Sequence, residues 1–264
     1  MLARGWRDVA DEDPVRIYLT GSICVVRGDE LVSESRFPGR QGRLCFAMLA
    51  AGRDVAVPRD GIAEELWGAD PPPAWGQALR ALISKLRTAL APVSLGGEAI
   101  EHAFGSYELR LPAGAWVDLE AAEDAAHRAE AALLGGEWDD ANGWALVANA
   151  IARRRFLPGE DGPWVTRRRA VLTDVRVRAL ECRAEVSLRT GRFPLAVNDA
   201  DLVLQLEPFR ETAHRLLMRA HVEAGNAAEA LRAYERYRSL LSRELGVGPS
   251  PETESIYLQI LRSR

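Results

Sequence analysis

Cysteine and histidine are scarce in this sequence, and their scarcity argues against several kinds of site. The 264 residues include 3 cysteines and 4 histidines. The cysteines are odd in number, widely spaced and surrounded by apolar residues, so we interpret them as reduced packing residues of a cytoplasmic protein rather than as disulfide partners or zinc ligands. His214 and His221 are seven residues apart on one predicted helix, but no further ligand stands at suitable spacing, so we predict no metal site.

The sequence also lacks the motifs that build common enzyme sites. It has no Gly-x-x-x-x-Gly-Lys-Ser/Thr phosphate loop, no Gly-x-Gly-x-x-Gly dinucleotide motif and no Gly-x-Ser-x-Gly nucleophile elbow. The acidic pairs Asp139-Asp140 and Glu160-Asp161 stand in turn-like contexts, where we expect them to cap helices. We therefore predict that the protein is not an enzyme and binds no cofactor.

No long apolar run is present, and hydrophobic residues are instead spread over the chain. No stretch approaches the roughly 18–20 apolar residues that cross a bilayer, and Met1–Asp8 lacks the apolar core of a secretory signal. The composition, 47% hydrophobic and 27% charged, is that of a globular protein, and this length predicts about two domains. We expect residues 1–13, which are polar and acidic, to be a disordered tail.

The net charge is small, but basic residues are concentrated in two places. The formal charge is −4, from 34 basic and 38 acidic residues, so the chain as a whole is not basic. Arg36, Arg40 and Arg43 fall in a stretch without an acid, and residues 71–97 contain basic residues but no acid. Such groups either form a local positive face or belong to ordinary solvated helix faces, and charge alone does not decide between these.

The order of elements in the first half predicts a winged helix-turn-helix domain over residues 14–113. Short strand patterns are followed by three helical patterns and then by two strand patterns around a Gly-Ser turn, which predict a hairpin. In such a domain the third helix enters the major groove of DNA and the hairpin contacts the backbone beside it. The helices are predicted at about 41–51, 58–68 and 74–91, and the hairpin strands at 99–104 and 107–111.

The third predicted helix has one apolar and one polar face. Its apolar stripe must pack on the other helices and consists of Leu79, Leu82, Ile83, Leu86 and Leu90. Arginine forms bidentate hydrogen bonds with the edge of guanine, and glutamine forms hydrogen bonds with adenine. Hydroxyl groups and lysine bind phosphates, and the small side chain of alanine lets the helix enter the groove. A solvated surface helix is the alternative, and the surrounding elements favour DNA. The polar face carries Gln77, Arg80, Ala81, Ser84, Lys85 and Thr88, with Arg87 at its flank.

Helix starts and the hairpin supply further candidate contacts. Basic side chains at helix N-termini suit phosphate contacts, although each is equally compatible with an ordinary surface residue. The hairpin would be the wing, which lies beside the DNA backbone. The candidates are Arg40, Gln41, Arg43 and Arg59 at the helix starts and His102, Ser106 and Arg110 in the hairpin.

From residue 114 onward the sequence predicts only helices, and these form repeats. The pattern Gly-x-x-x-x-Ala occurs at Gly136/Ala141, Gly191/Ala196 and Gly225/Ala230, and the last two copies are 34 residues apart, the period of a tetratricopeptide helical hairpin. We predict a tetratricopeptide-like helical domain over residues 114–264. The expected fold class is therefore mainly α with small β elements.

Several stretches of both halves resemble one known family. In the first half they are Arg40-Gln41-Gly42-Arg43-Leu44, Val57-Pro58-Arg59-Asp60-Gly61-Ile62, Leu66-Trp67-Gly68 and Leu82–Leu90. In the second half the most specific is Arg243-Glu244-Leu245-Gly246-Val247-Gly248-Pro249, followed by Pro251-Glu252-Thr253. Over about residues 15–262 the chain resembles the streptomycete antibiotic regulatory protein (SARP) family, in which an OmpR-like winged helix precedes a bacterial transcriptional activator domain.

This resemblance implies a function and a set of contact residues. It implies binding to double-stranded promoter DNA, often as two copies on direct repeats, and recruitment of RNA polymerase to activate transcription in the cytoplasm, at the nucleoid. It places Arg80, Ser84, Lys85 and Arg87 in the recognition helix. It places Arg40, Gln41, Arg43 and Arg59 at backbone-contact positions.

Two departures from the family pattern leave alternatives open. The hairpin turn is Phe104-Gly105-Ser106-Tyr107 where the family usually has Pro-Gly-Tyr, and Arg153–Trp164 replaces a tryptophan-containing segment. One alternative is a protein-interaction adaptor whose winged helix no longer binds DNA, and another is a regulator that holds a small molecule on its repeats. For the arginine runs 153–155 and 167–169 three roles stay open. They extend the DNA footprint, or contact an acidic surface of the polymerase, or pair with nearby acids.

Overall fold

The computed structural model describes residues 13–53 and 55–262, which pack into two units. The first unit comprises residues up to 120 together with 154–169, and the second comprises 121–153 and the residues from 170 onward. The division into domains 14–113 and 114–264 stays a prediction, and it does not include this return of 154–169 to the first unit. The predicted tail lies outside the described residues, except for Asp13.

The first unit contains small sheets and three helices in the predicted order. Strands β1 to β3 precede helix α1, β4 and α2 follow, and the long helix α3 precedes the hairpin β5–β6 and the short strand β7. The bounds are β1 Arg16–Tyr18, β2 Cys24–Arg27, β3 Glu30–Val32, α1 Gly39–Ala51, β4 Val57–Pro58, α2 Arg59–Trp67, α3 Trp75–Leu90, β5 Ile100–Ala103, β6 Ser106–Leu109 and β7 Trp116–Val117.

Two sheets frame these helices. In the first sheet the strand order is β3-β2-β1-β7, and β1 pairs antiparallel with β2 but parallel with β7. Ile17 therefore stands opposite Val25 on one side and Val117 on the other, and all three side chains are buried. The second sheet has the order β4-β6-β5 and is antiparallel throughout, which fixes the hairpin beside the start of α2.

Helix α1 is the centre of this core. All residues from Leu44 to Ala50 are buried, because a helix that is apolar on every side packs against neighbours all round. It packs on α2, α3 and β6. This arrangement presents the outer face of α3 to solvent beside the hairpin.

The second unit is helical throughout. Helices α4 and α6 begin in the first unit, which includes the first three residues of α4 and the first seven of α6. The bounds are α4 Asp118–Gly135, α5 Trp138–Ala152, α6 Pro163–Arg189, α7 Phe193–Leu206, α8 Glu211–Glu223, α9 Ala227–Leu245 and α10 Pro251–Arg262.

The repeat pattern has the predicted structural role. Gly191 and Gly225 end helices with positive φ angles of 71° and 77°, a backbone conformation that favours glycine, and thereby reverse the chain. Ala196 and Ala230 are fully buried where neighbouring helices meet. Helix α8 packs on α7 and α9, and α10 covers α8 and α9. The expected fold class, a winged helix-turn-helix followed by tetratricopeptide-like helices, is confirmed. In the part of the chain that the structure describes, no helix is long and apolar enough to cross a lipid bilayer.

Candidate nucleic-acid interface

Helix α3 separates its two predicted faces cleanly. The five residues of the apolar stripe are buried, with Leu86 and Leu90 fully inaccessible. The polar side is open to solvent over just over three turns, and its side chains include no acid. The predicted contact residues on this side are all exposed, as is Ala78; they are Gln77, Arg80, Ala81, Ser84, Lys85 and Thr88.

Arg87, at the flank of this face, has a different environment. It is half-buried, and its Nη2 donates a hydrogen bond of 2.6 Å to the carbonyl oxygen of Ile100 in β5. A charged donor bound to a backbone acceptor is costly to withdraw. Arg87 thus ties α3 to the hairpin, and its guanidinium is less available to a ligand than that of Arg80.

Arg59 connects the start of α2 to the start of α3. Its backbone nitrogen donates to the carbonyl oxygen of Gly105 in the hairpin turn (3.0 Å), and its guanidinium carbon lies 4.6 Å from the centre of the Trp75 ring. A methyl group on Gly76 would stand 3.1 Å from Arg59 Nη2, so glycine lets the guanidinium lie close against α3. The cation–π contact holds the charge beside the helix and leaves it partly exposed.

A basic cavity lies between α3, the start of α2 and the hairpin. Its volume is about 230 Å³. Burial raises the pKa of Tyr107, while the positive charges of Arg80, Arg59 and Arg87 oppose this rise. Several cations around one small cavity create a site for an anion such as a phosphate group. The lining residues are Arg59, Gly76, Leu79, Arg80, Ile83, Arg87, His102 and Tyr107.

Two of the predicted DNA contacts at the start of α1, Arg40 and Arg43, form ion pairs with an acid of the protein itself. Arg40 Nε lies 2.6 Å from one carboxylate oxygen of Glu160, and Arg43 Nη2 lies 3.0 Å from the other. The Glu160 side chain is 1% exposed, whereas that of Arg40 is 63% exposed. The hydrogen bond to Glu160 raises the pKa of Arg40. Arg43 also lies 3.4 Å from Glu34. Gln41 is exposed.

Glu160 belongs to the segment 154–169, which we call the return segment. The expectation that Glu160-Asp161 caps a helix is wrong, because Glu160 binds two arginines of α1 and Asp161 binds Arg155 and Arg169. The return segment continues the first unit, since Leu157 N donates to Leu19 O at 3.1 Å. Sequence reasoning missed this site, and the one available signal was a lone acid pair within an arginine-rich, Gly- and Pro-containing stretch.

The arginine runs show pairing of the kind that the sequence left open. Arg169 donates to the carbonyl oxygens of Phe156, Leu157 and Glu160. Arg167 lies 3.2 Å from Glu65. These contacts fix the return segment, and they favour pairing with neighbouring groups over the other two interpretations.

The hairpin places its three candidates differently. His102 is exposed and its ring lies 4.8 Å from that of Tyr107, while Ser106 is half-buried in β6. Arg110 lies near two acids, 2.9 Å from Glu101 and 3.4 Å from Glu108, which offset its charge. Sequence reasoning missed Phe104 as a contact candidate, and this side chain is fully exposed at the hairpin tip with a positive φ of 49°.

Metal binding has no candidate in residues 13–53 and 55–262. No group of three or more histidine, cysteine, aspartate or glutamate side chains lies close enough there to hold an ion. Burial raises the pKa of Cys45 to about 12 and that of Cys182 to about 11, so both thiols are protonated at neutral pH.

Comparison with known proteins supplies the context for this surface. Residues 117–261 match the model of the bacterial transcriptional activator domain family. The regulatory protein AfsR of Streptomyces griseus is 31% identical over 254 residues, which are 96% of this chain and 25% of AfsR. The regulatory protein DnrI of Streptomyces peucetius is 28% identical over 233 residues, 85% of each chain. Both relatives are SARP-family regulators, which confirms the resemblance found in the sequence.

A solved structure shows the same fold. The Mycobacterium tuberculosis regulator EmbR, solved in complex with a low-affinity phosphopeptide, aligns with a TM-score of 0.85 over 96% of this chain and 66% of EmbR, at 23% identity. The chain therefore spans about a quarter of the length of AfsR and about two thirds of the EmbR chain. These matched relatives are regulators, and none of their names is that of an enzyme.

Proposed function

Because the chain belongs to the bacterial transcriptional activator domain family, we propose that it activates transcription by binding promoter DNA through its winged helix and recruiting RNA polymerase through its helical repeats. The observation that carries this proposal is the acid-free, solvent-exposed face of α3 beside a basic cavity. We place this activity in the cytoplasm, at the nucleoid. Two copies on a direct repeat belong to the same proposal.

Base recognition is assigned to the middle of the α3 face. Arg80 is exposed and has the fork of donors that bonds the O6 and N7 acceptors of guanine, and Gln77 one turn earlier has the amide that pairs with adenine. Ala81 follows Arg80 on the same exposed face, and its small side chain lets the helix backbone approach the base edges. Ser84, Lys85 and Thr88 are assigned to the flanking phosphates.

Phosphate binding is assigned chiefly to the basic cavity. Arg59 and His102 line it together with Arg80, and their positions on three different elements match a backbone that passes the recognition helix and the wing. Arg40, Gln41 and Arg43 remain proposed backbone contacts, although Glu160 already binds both arginines. Ser106 and Arg110 remain proposed wing contacts, and Phe104 joins them as an apolar group at the tip.

The adaptor alternative has one specific observation in its favour. Arg40 and Arg43, two of the four proposed backbone contacts outside α3, are bound to a buried carboxylate, and acids accompany Arg110 in the wing. A winged helix that had lost DNA binding would tolerate such neutralisation. Among residues 13–53 and 55–262 we find no comparable pairing at the open face of α3, and for this reason we prefer the activator.

Selection of bound fragments from genomic DNA tests the function directly. We expect the chain to enrich fragments with a shared motif and to protect that motif in footprinting. The double variant Arg80→Ala/Lys85→Ala should lose the enrichment. The matched control Arg232→Ala/Arg238→Ala removes two exposed charges from α9, and it should retain enrichment.

Transcription in vitro on a selected fragment tests the second half of the proposal. Purified RNA polymerase should give more transcript when the chain is added, and the α3 double variant should abolish this increase. A chain that enriches no motif but still binds polymerase would overturn the activator in favour of the adaptor.

A further inference from the structure

Helix α5 carries an exposed apolar strip in the middle of its solvent side. Its inner face is buried through Ala141, Ala145 and Ala148, as expected for one half of a helical hairpin. On the opposite side Leu146 and Val147 remain 45% and 43% exposed. These two side chains together offer apolar area that a partner surface could remove from water.

The spacing of this surface is that of a helix–helix seam. Asp139, Gly143, Leu146, Ala150 and Arg153 follow one another at alternating intervals of four and three residues, and all are exposed. This alternation keeps one stripe facing a partner helix along its whole length. The stripe covers all four turns of α5.

Gly143 has no structural requirement inside the described chain. A methyl group added there would meet no atom within 4 Å, and its backbone is helical. Glycine in a helix interior is less favourable than alanine, so its presence here needs a cause. Close approach of another helix backbone is such a cause, because glycine and alanine let two helices pack at short distance.

The charges on the seam are complementary to themselves. Asp139 and Asp140 occupy the first turn, and Arg153 follows the last residue of the helix. Among the described residues none of these three side chains forms an ion pair. Their positions also suit the helix dipole, but the dipole explains neither the exposed leucine and valine nor the glycine.

We propose that α5 pairs antiparallel with α5 of a second copy of this chain. With the twofold axis at Leu146, Asp139 of each copy lies opposite Arg153 of the other, Gly143 lies near Ala150, and Leu146 meets its own copy. A partner surface of one charge sign would oppose one end of the seam with like charge. Antiparallel self-pairing satisfies both ends at once.

This contact goes beyond the proposed function. Two copies on a direct DNA repeat are related by translation and present different surfaces to each other, whereas a twofold contact joins identical surfaces. Pairing through α5 therefore takes place without DNA. One helix pair buries less than the roughly 800 Å² per partner of a standard interface, so we expect a weak dimer with a dissociation constant in the micromolar range.

Sedimentation equilibrium of the full chain without DNA, at about 5–500 µM, measures this association. Reversal of either charge, by Asp139→Arg or Arg153→Asp, should weaken the dimer roughly tenfold, because like charges then face each other twice. The double variant Asp139→Arg/Arg153→Asp should recover most of the affinity, since each new arginine faces a new aspartate. If these charges served only the helix dipole, the dimer affinity would not recover in the double variant. The double variant would then also have the lowest thermal stability of the three, because both charges would oppose the dipole.

The apolar centre has a matched control. Leu146→Arg should abolish dimerisation, whereas Leu195→Arg on α7, where the leucine is 47% exposed, should leave it unchanged. Gly143→Leu should abolish dimerisation while thermal stability holds or rises, because leucine favours the helix but blocks close approach. A failure to fold lowers both quantities and is thereby distinguished.

Three results would overturn the proposal. The first is a wild-type chain that stays monomeric throughout the concentration range. The second is a double charge variant whose dimer affinity is lower than that of both single variants. The third is a loss of dimerisation in Leu195→Arg equal to that in Leu146→Arg. None of these outcomes bears on DNA binding, so the self-pairing and the proposed function fail separately.

Discussion

Basic residues of α3 occupy different environments although they lie within eight positions of one another. Arg80 and Lys85 are exposed, and neither has an ion pair among the described residues, whereas Arg87 is held by the backbone of β5. The helical period of about 3.6 residues determines which side each residue faces. The position of β5 determines that Arg87 donates a hydrogen bond to the backbone of Ile100. Its distinct role depends on tertiary structure that no spacing rule contains.

Replacement of Arg80 should change sequence preference, and replacement of Lys85 should not. Arg80→Ala removes a bidentate contact to one base, so we expect a loss of about 1–3 kcal/mol on the preferred duplex and relaxed preference at one position. Lys85→Ala removes a phosphate contact and should weaken all duplexes alike. Fluorescence anisotropy on single-base duplex variants measures both, with Arg238→Ala as the control.

The opposite pattern would reassign these roles. If Arg80→Ala weakened every duplex equally while Lys85→Ala altered preference, Lys85 would be the base reader and Arg80 a backbone contact. Equal, unselective losses for both variants would leave the α3 face as an electrostatic surface without base recognition.

Among the elements, the return segment has the largest effect on the proposed interface. It supplies the buried carboxylate that binds Arg40 and Arg43 of α1, and Arg169 fixes its path through carbonyl oxygens. The two α1 arginines are thus held in place by Glu160 and also partly neutralised by it. These effects act in opposite directions on a phosphate contact.

The variant Glu160→Gln separates holding from neutralisation. We expect a lower Tm, because a buried carboxylate no longer bonds two guanidinium groups. We also expect duplex affinity to rise roughly threefold to tenfold, because two positive charges near the start of α1 are released. Asp161→Asn is the comparison: this exposed carboxylate bonds neither α1 arginine and acts on Arg40 only through its charge, so its removal should raise affinity less than Glu160→Gln does.

A fall in both Tm and affinity would contradict this prediction. In that case the hydrogen bonds to Glu160 would be needed to hold Arg40 and Arg43 in a DNA-binding arrangement. Arg40→Ala should then weaken all duplex sequences alike.

Local patterns predict the elements better than the contacts between them. The α3 stripe, the hairpin and the Gly–Ala repeats each arise from interactions within a few tens of residues, and their spacing is visible in the sequence. The bond between Arg40 and Glu160 joins residues 120 positions apart, and although the acid pair stands out in an arginine-rich stretch, nothing in the sequence indicates which arginines it binds. Phe104 lacked any such signal too, because an exposed tip residue serves no packing pattern.

At the scale of the whole molecule, charge is local rather than global. The net charge is −4, yet the side chains of the α3 face include no acid, and the cavity beside it is lined by three arginines. The Debye length at physiological salt is about 8 Å, so a phosphate at this face is influenced chiefly by nearby groups. A negative total therefore does not oppose DNA binding.

The salt dependence of binding measures how many of these charges are used. With phosphate contacts from Arg40, Arg43, Arg59 and Lys85, log K should fall against log salt with a slope of about −4 per bound chain. Lys85→Ala should reduce the magnitude of the slope by about one, and Arg238→Ala should leave it unchanged. A slope near zero, or one that Lys85→Ala does not alter, would exclude the α3 face as the source of affinity.

The return of residues 154–169 to the first unit restricts how this architecture can be rearranged by recombination. A genetic crossover between the two halves, at any single point from residue 121 to residue 153, would join a DNA-binding half to a foreign return segment. Glu160 and Phe156 would then be replaced by residues selected against another surface. A hybrid that keeps each unit intact needs three crossovers, one near residue 120 and one on each side of the segment, so the halves are expected to be inherited together.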